Sequence, residues 1–60
     1  MTMKNPIRIL LADDHNLVRA GIKALLEKVA DFEIVADVAD GALALQLTTE
    51  LLPDVAILDI

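Results

Sequence analysis

Sixty residues with no cysteine, 57% hydrophobic composition and a formal net charge of −5 bound a single small domain at most. Without cysteine there is neither a disulfide nor a thiolate metal site, and five scattered Lys and Arg do not make the clustered basic face of a nucleic-acid binder. The apolar content is too high for a disordered segment, and richer than so small a globule with a wet surface needs, so its elements are expected to be covered by further protein.

The opening MTMKNP is too short and polar for a signal peptide. No apolar run approaches the ~20 residues that span a bilayer, so a cytoplasmic protein is expected. Residues 7–12, IRILLA, form a short β-branched run after Pro6 and predict a strand buried on both faces, as in a parallel sheet. The run ends at Asp13-Asp14.

From His15 the period changes. Leu17, Val18, Ile22, Leu25, Leu26 and Val29 fall at helical spacing and predict one apolar stripe, with Arg19, Lys23, Glu27 and Lys28 off it. Over residues 15–29 such a helix is ~22 Å long. Asp14 suits its N-cap and Asp13 adds negative charge at the same positive helix end.

Residues 32–38, FEIVADV, predict a second strand. Glu33 and Asp37 stand two strand periods apart and are expected to share one face, which makes the strand half exposed and places it at a sheet edge. Asp40-Gly41 reads as a turn and cap. A second helix is predicted over residues 42–51, with Ala44, Leu47 and Leu51 toward the sheet, and Pro53 stops it. Residues 55–59 predict a third strand, apolar up to Asp59 and therefore central.

Strand, helix, strand, helix, strand with crossovers of this length implies parallel strands and right-handed connections, a piece of a doubly wound α/β domain. With a sheet order of 2-1-3, the ends of the first and third strands lie side by side at a topological switch point, where open sheets bind ligands. Asp13, Asp14 and Asp59 would then converge. Like charges 4 Å apart repel by about 1 kcal/mol in water and about 4 at intermediate dielectric. No cation of the chain has an evident path to them, so Mg²⁺ or Mn²⁺ is the expected compensation. A carboxylate beside such an ion can attack phosphorus, which makes Asp59 a candidate nucleophile and Asp13 and Asp14 candidate metal ligands. Each acid alone reads as an ordinary cap or strand end; the joint spacing favours the site. His15 follows the acidic pair, but hard cations choose oxygen and its position suits an exposed first helical turn.

The stretches IRILLADDHNLVRAGIKALL, VADVADGALAL and PDVAILDI resemble the N-terminal half of a bacterial response-regulator receiver domain, and ADDHNLVRAGI resembles its NarL/FixJ group. The resemblance implies a flavodoxin-like receiver fold cut after its third strand, with the family's fourth and fifth strands and third to fifth helices missing. Residues 1–60 would be a partial receiver domain with no effector domain. It further implies Asp59 as phosphoacceptor, Asp14 as direct Mg²⁺ ligand and Asp13 as its neighbour acting through water, Asp59 sharing the metal. The family's backbone-carbonyl ligand would fall at position 61, and its phosphate-sensing Thr or Ser and its Lys would follow later. A sensor histidine kinase is the implied partner, and DNA would be reached only through a separate C-terminal helix-turn-helix. The implied role is a phosphoacceptor in transcription control, not an enzyme.

Two further readings accompany it. Arg19 and Lys23 could contribute to a kinase-docking face, with solvated charges as the simpler reading. The isolated 60 residues could be a non-signalling half-domain that folds only as a homo-oligomer joined through the third strand. A hydrolase with paired carboxylates lacks the chain length to build pocket walls.

Overall fold

A strand with hydrogen-bonded neighbours on both sides must be apolar on both faces. β1 (Ile7–Asp13) holds that position in the computed structural model, which describes residues 5–59. The signal-peptide reading of residues 1–6 therefore falls mostly outside the described residues, as does Ile60. β1 is flanked by β2 (Phe32–Val38) and β3 (Val55–Asp59), both parallel to it, in the order β2-β1-β3. α1 (Asn16–Glu27) and α2 (Gly41–Leu51) are the two crossovers. The truncated flavodoxin-like receiver topology expected from the sequence is the one observed.

Alternate residues of β1 serve the two faces. Leu10 and Ala12 are buried with Ala44 of α2, and Ala36, Val38 and Leu47 pack against them. Ile9, Leu11 and Asp13 are buried on the other face, toward α1. α2 starts as its sequence predicts: Asp40 is the N-cap, and its carboxylate accepts from the Ala42 N–H at 2.9 Å. Leu52 closes the helix in the left-handed conformation, φ 49°, with its N–H on the Thr48 carbonyl. For a residue with a Cβ that conformation costs roughly 1–2 kcal/mol. Arg8 offsets it by donating to the carbonyls of Leu51 and Leu52 at 2.6 and 3.2 Å. The backbone N–H of Arg8 also donates to the Asp54 carboxylate at 2.8 Å, and the Asp54 N–H to the Arg8 carbonyl at 2.8 Å, which seats the start of β3.

Five expectations are corrected. Glu33 and Asp37 lie on opposite faces. Ile9 pairs with Ile34 but Leu10 pairs with Ala36, so Val35 is an extra residue and the alternation of β2 inverts at this bulge. Glu33 lies 3.8 Å from Arg8, whereas Asp37 faces α1. Asp14 is not the cap of α1; His15 occupies the N-cap and makes no side-chain cap bond. α1 has 12 residues, ~18 Å, not fifteen. Its apolar stripe is wider than its contact with the sheet. Ile22 and Leu26 are half-buried beside Arg19 and Lys23, while Leu17 is 87% exposed and Val18, Leu25 and Val29 are also exposed. Finally, β3 is an edge strand of the described sheet, with Val55 and Leu58 exposed, and β1 is the central one.

Because Leu10 is fully buried, Leu10→Ala is expected to lower the unfolding free energy of the protein carrying this chain by about 2–5 kcal/mol. Leu17→Ala should change it by under about 0.5 kcal/mol. Urea unfolding followed by far-UV circular dichroism checks both.

Candidate functional site

The carboxyl ends of β1 and β3 lie side by side, and the pairing register puts Asp13 directly opposite Asp59. Adjacent parallel strands run ~4.8 Å apart, and residues in register point to the same face. Both acids therefore stand on the α1 side of the sheet. They differ sharply in environment. Asp13 is 0% exposed, as the last residue of a strand covered on both faces, whereas Asp59 ends the edge strand and is exposed.

Burial of Asp13 requires partners for its oxygens. Oδ1 accepts from the His15 backbone N–H at 2.7 Å, an interaction across two residues that folds the chain sharply out of the strand and into α1. Oδ2 is also buried, and no hydrogen-bond partner reaches it among the described residues. A buried carboxylate oxygen left in that state is costly, about 1–3 kcal/mol or more for a charged group. Asp14, released by the same turn, is exposed. The His15 Nδ1 lies 2.9 Å from Asp14 Oδ1 and 3.3 Å from Asp13 Oδ1.

Asp13, Asp14 and His15 thus form a compact donor cluster, one ligand atom from each lying within 4.8 Å of the others. Asp59 faces this cluster across the strand pair but is not one of the three. The unanswered Oδ2 together with a second carboxylate suits a hard divalent cation, which prefers oxygen donors. His15 belongs to the cluster more closely than its place in the sequence suggests, although 70% of its side chain is exposed.

Arg19 corrects one reading: it is not a solvated charge, although it meets the backbone of Asp13 and not its carboxylate. Its Nη1 donates to the Asp13 carbonyl at 2.6 Å and its Nε lies 2.6 Å from Asp37 Oδ1, with the side chain only 17% exposed. Lys23 adds a longer contact to Asp37 Oδ2 at 3.7 Å. The signal for Arg19 was present in the sequence: helical side chains lean toward the N-terminus, so a long one in the second turn reaches back over the first. No such local rule announces Asp37, which the bulge turns toward α1.

The opposite face holds an open hollow of about 400 Å³ lined by Gly41, Ala44, Leu45, Thr48, Ala56 and Leu58. The expectation that so short a chain builds no pocket walls is corrected to that extent. The hollow is largely apolar and is separated from the carboxylates by the sheet. Among the described residues no helix is long and apolar enough to cross a membrane.

Residues 9–60 match the family described as the response regulator receiver domain. The chain is 44% identical over 54 residues to the transcriptional regulatory protein LiaR of Bacillus subtilis, covering 90% of this chain and 26% of that protein. It is 45% identical over 58 residues to a nitrate/nitrite response regulator protein homolog of Haemophilus influenzae, covering 97% of this chain and 28% of that one. To the nitrate/nitrite response regulator NarP of Escherichia coli it is 40% identical over 60 residues, covering 100% and 28%. The chain therefore spans about a quarter of the length of the curated relatives it matches. No solved structure gives a significant match.

Asp13→Asn keeps the acceptor for the His15 N–H and removes the unanswered buried charge. In a chelator it is expected to raise the unfolding free energy by about 1 kcal/mol, and the stabilisation expected of the wild type in millimolar Mg²⁺ should be mostly absent from the variant. Paired urea titrations with chelator and with Mg²⁺ measure both; a variant less stable than wild type in chelator would contradict the assignment of a charge penalty to Oδ2.

Proposed function

This chain belongs to the response regulator receiver domain family, and from that membership we propose that it is the phosphoacceptor half of a two-component switch, with Asp59 receiving the phosphoryl group from a histidine kinase. The observation that carries this reading is the register pairing of Asp59 with the buried Asp13 at one sheet edge. An exposed carboxylate on an edge strand is open to an incoming donor. Its buried neighbour, with one free oxygen, holds negative charge where a cation is wanted.

Asp13 and Asp14 would hold the cation, Mg²⁺ or Mn²⁺, with Asp59 beside them. When bound there, a divalent ion screens the charge of the transferring phosphoryl group. In the transfer itself, an Asp59 carboxylate oxygen attacks phosphorus and forms an acyl phosphate. The phosphorus–nitrogen bond to the kinase histidine breaks, its electron pair goes to the imidazole, and the ring nitrogen takes a proton from solvent. Asp13 stays oriented throughout, its Oδ1 accepting from the His15 N–H.

The relatives described are regulators about three and a half times the length of this chain; two are named for response to nitrate or nitrite and one for transcription. We extend to the protein carrying this chain a cytoplasmic role in transcription control, with residues 1–60 as part of its receiver domain. With a net charge of −5, this segment is not the DNA contact; that role goes to a separate helix-turn-helix module. Phosphorylation adds charge and acceptor oxygens to a site already rich in carboxylates, which biases the surface around it between two arrangements.

Acetyl phosphate with Mg²⁺ is expected to add one phosphoryl group to the protein carrying this chain, read by intact mass. Asp59→Asn should abolish the addition and Asp14→Asn should slow it. Undiminished labelling of the Asp59 variant rejects the site.

A further inference from the structure

The acidic turn is held from behind by a pair that the reaction does not use. Arg19 spans from the carbonyl of Asp13, at 2.6 Å, to the carboxylate of Asp37, at 2.6 Å on the neighbouring strand. Three separate elements meet in this one guanidinium: the end of β1, the second turn of α1 and the edge strand β2. Its planar fork is suited to two acceptors at once, which a lysine ammonium on a flexible stem serves less well. Asp37 faces α1 only because Val35 is an extra residue in β2; without the bulge it would share the Glu33 face.

We propose that Arg19 and Asp37 together are positioning residues for the Asp13-Asp14 turn, fixing the carboxylates for a cation while presenting almost no net charge to it. This rests on the cation-site reading given above. The charges explain why two residues are needed. A bare guanidinium bonded to the Asp13 carbonyl would repel a divalent ion bound by the adjacent carboxylates. With Asp37 on its Nε, Arg19 can tie down the strand end as a neutral unit. It also sits near the N-terminal end of α1, where a lone cation is unfavourable, so the same carboxylate compensates it twice. Lys23 shares Asp37 from 3.7 Å but does not hydrogen-bond to Asp13, so it cannot replace the tether.

The sign of one measurement separates positioning from plain electrostatics. Removing a positive charge beside a cation site strengthens cation binding if charge alone matters. If Arg19 positions the turn, Arg19→Gln weakens it, by about tenfold by analogy with outer ligand-orienting partners. Mn²⁺ titration of the protein carrying this chain, read by electron paramagnetic resonance of the free ion, supplies the constant. Asp37→Asn, which frees the guanidinium charge and its anchor, should weaken Mn²⁺ similarly. The double variant should be no weaker than either single one, because the two act as a unit. Arg19→Lys should recover part of the affinity, and it carries the comparison if the Gln variant does not fold.

A second readout needs no metal. Amide hydrogen exchange at Asp14 and His15 should quicken in Arg19→Gln while Leu10 and Leu11 keep their protection. Unchanged or tighter Mn²⁺ binding in Arg19→Gln overturns the proposal, as does exchange that quickens uniformly across β1 or nowhere. If the wild type binds no Mn²⁺, the cation-site reading falls, and the exchange pattern alone decides whether Arg19 positions the turn.

Discussion

A carboxylate taken out of water costs several kcal/mol unless something answers its charge, and Asp13 has been taken out of water completely. Its position follows from the same geometry that makes β1 a good central strand. Every other residue from Ile9 onward is apolar and buried, so a side chain at the strand's end is buried whether or not it is polar. One oxygen is answered by the turn that begins α1, and the other is not. The neighbouring acids and the neutralised arginine gather around that one unfavourable group.

Two arginines organise the two faces of the sheet in the same manner. On the α2 side, Arg8 binds the carbonyls at the end of α2 and lies near Glu33. On the α1 side, Arg19 binds the end of β1 and pairs with Asp37. Each joins a strand to a helix through backbone carbonyls, and each is compensated by an acid of β2. The bulge at Val35 distributes those acids, one to each face. An edge strand tolerates such an insertion because only one side of its ladder is committed.

Much of this was legible in the chain. Short apolar runs bounded by Asp, Gly and Pro announced the strands, and the bounds of β2 agree with the sequence reading residue for residue. The Asp40 cap was readable because its partner is local. What escaped depended on non-local facts. A bulge is a mismatch between two strands and has no signature in one of them, so the faces of Glu33 and Asp37 were misassigned. Asp14 read as the cap and Asp13 as added charge beside it, and only the folded turn shows that the Asp13 carboxylate is the one that turns back to His15. The stripe on α1 was real, but its periodicity does not say which edge of a broad stripe meets the sheet; four of its six residues are exposed. Arg19 looked solvated because its two acceptors lie six and eighteen residues away, on different strands. The pairing of Asp13 with Asp59 followed from strand order, whereas the inclusion of His15 followed from a side-chain rotation that no spacing rule supplies.

The contacts between Arg8 and Asp54 close a span of 46 residues. Both neighbours of β1 are parallel to it, so neither can join by a tight hairpin; each must await a finished crossover. Loop-closure entropy is met before any ladder forms, and topologies of this kind fold slowly for their size. During that interval β1, the strand buried most fully in the finished sheet, lacks one or both of its partners. The order of assembly is therefore itself a hazard: early in folding, the segment that later supports the acidic turn is a strand with an open edge, and a chain emerging from synthesis offers that edge to solvent or to a chaperone until residue 54 arrives.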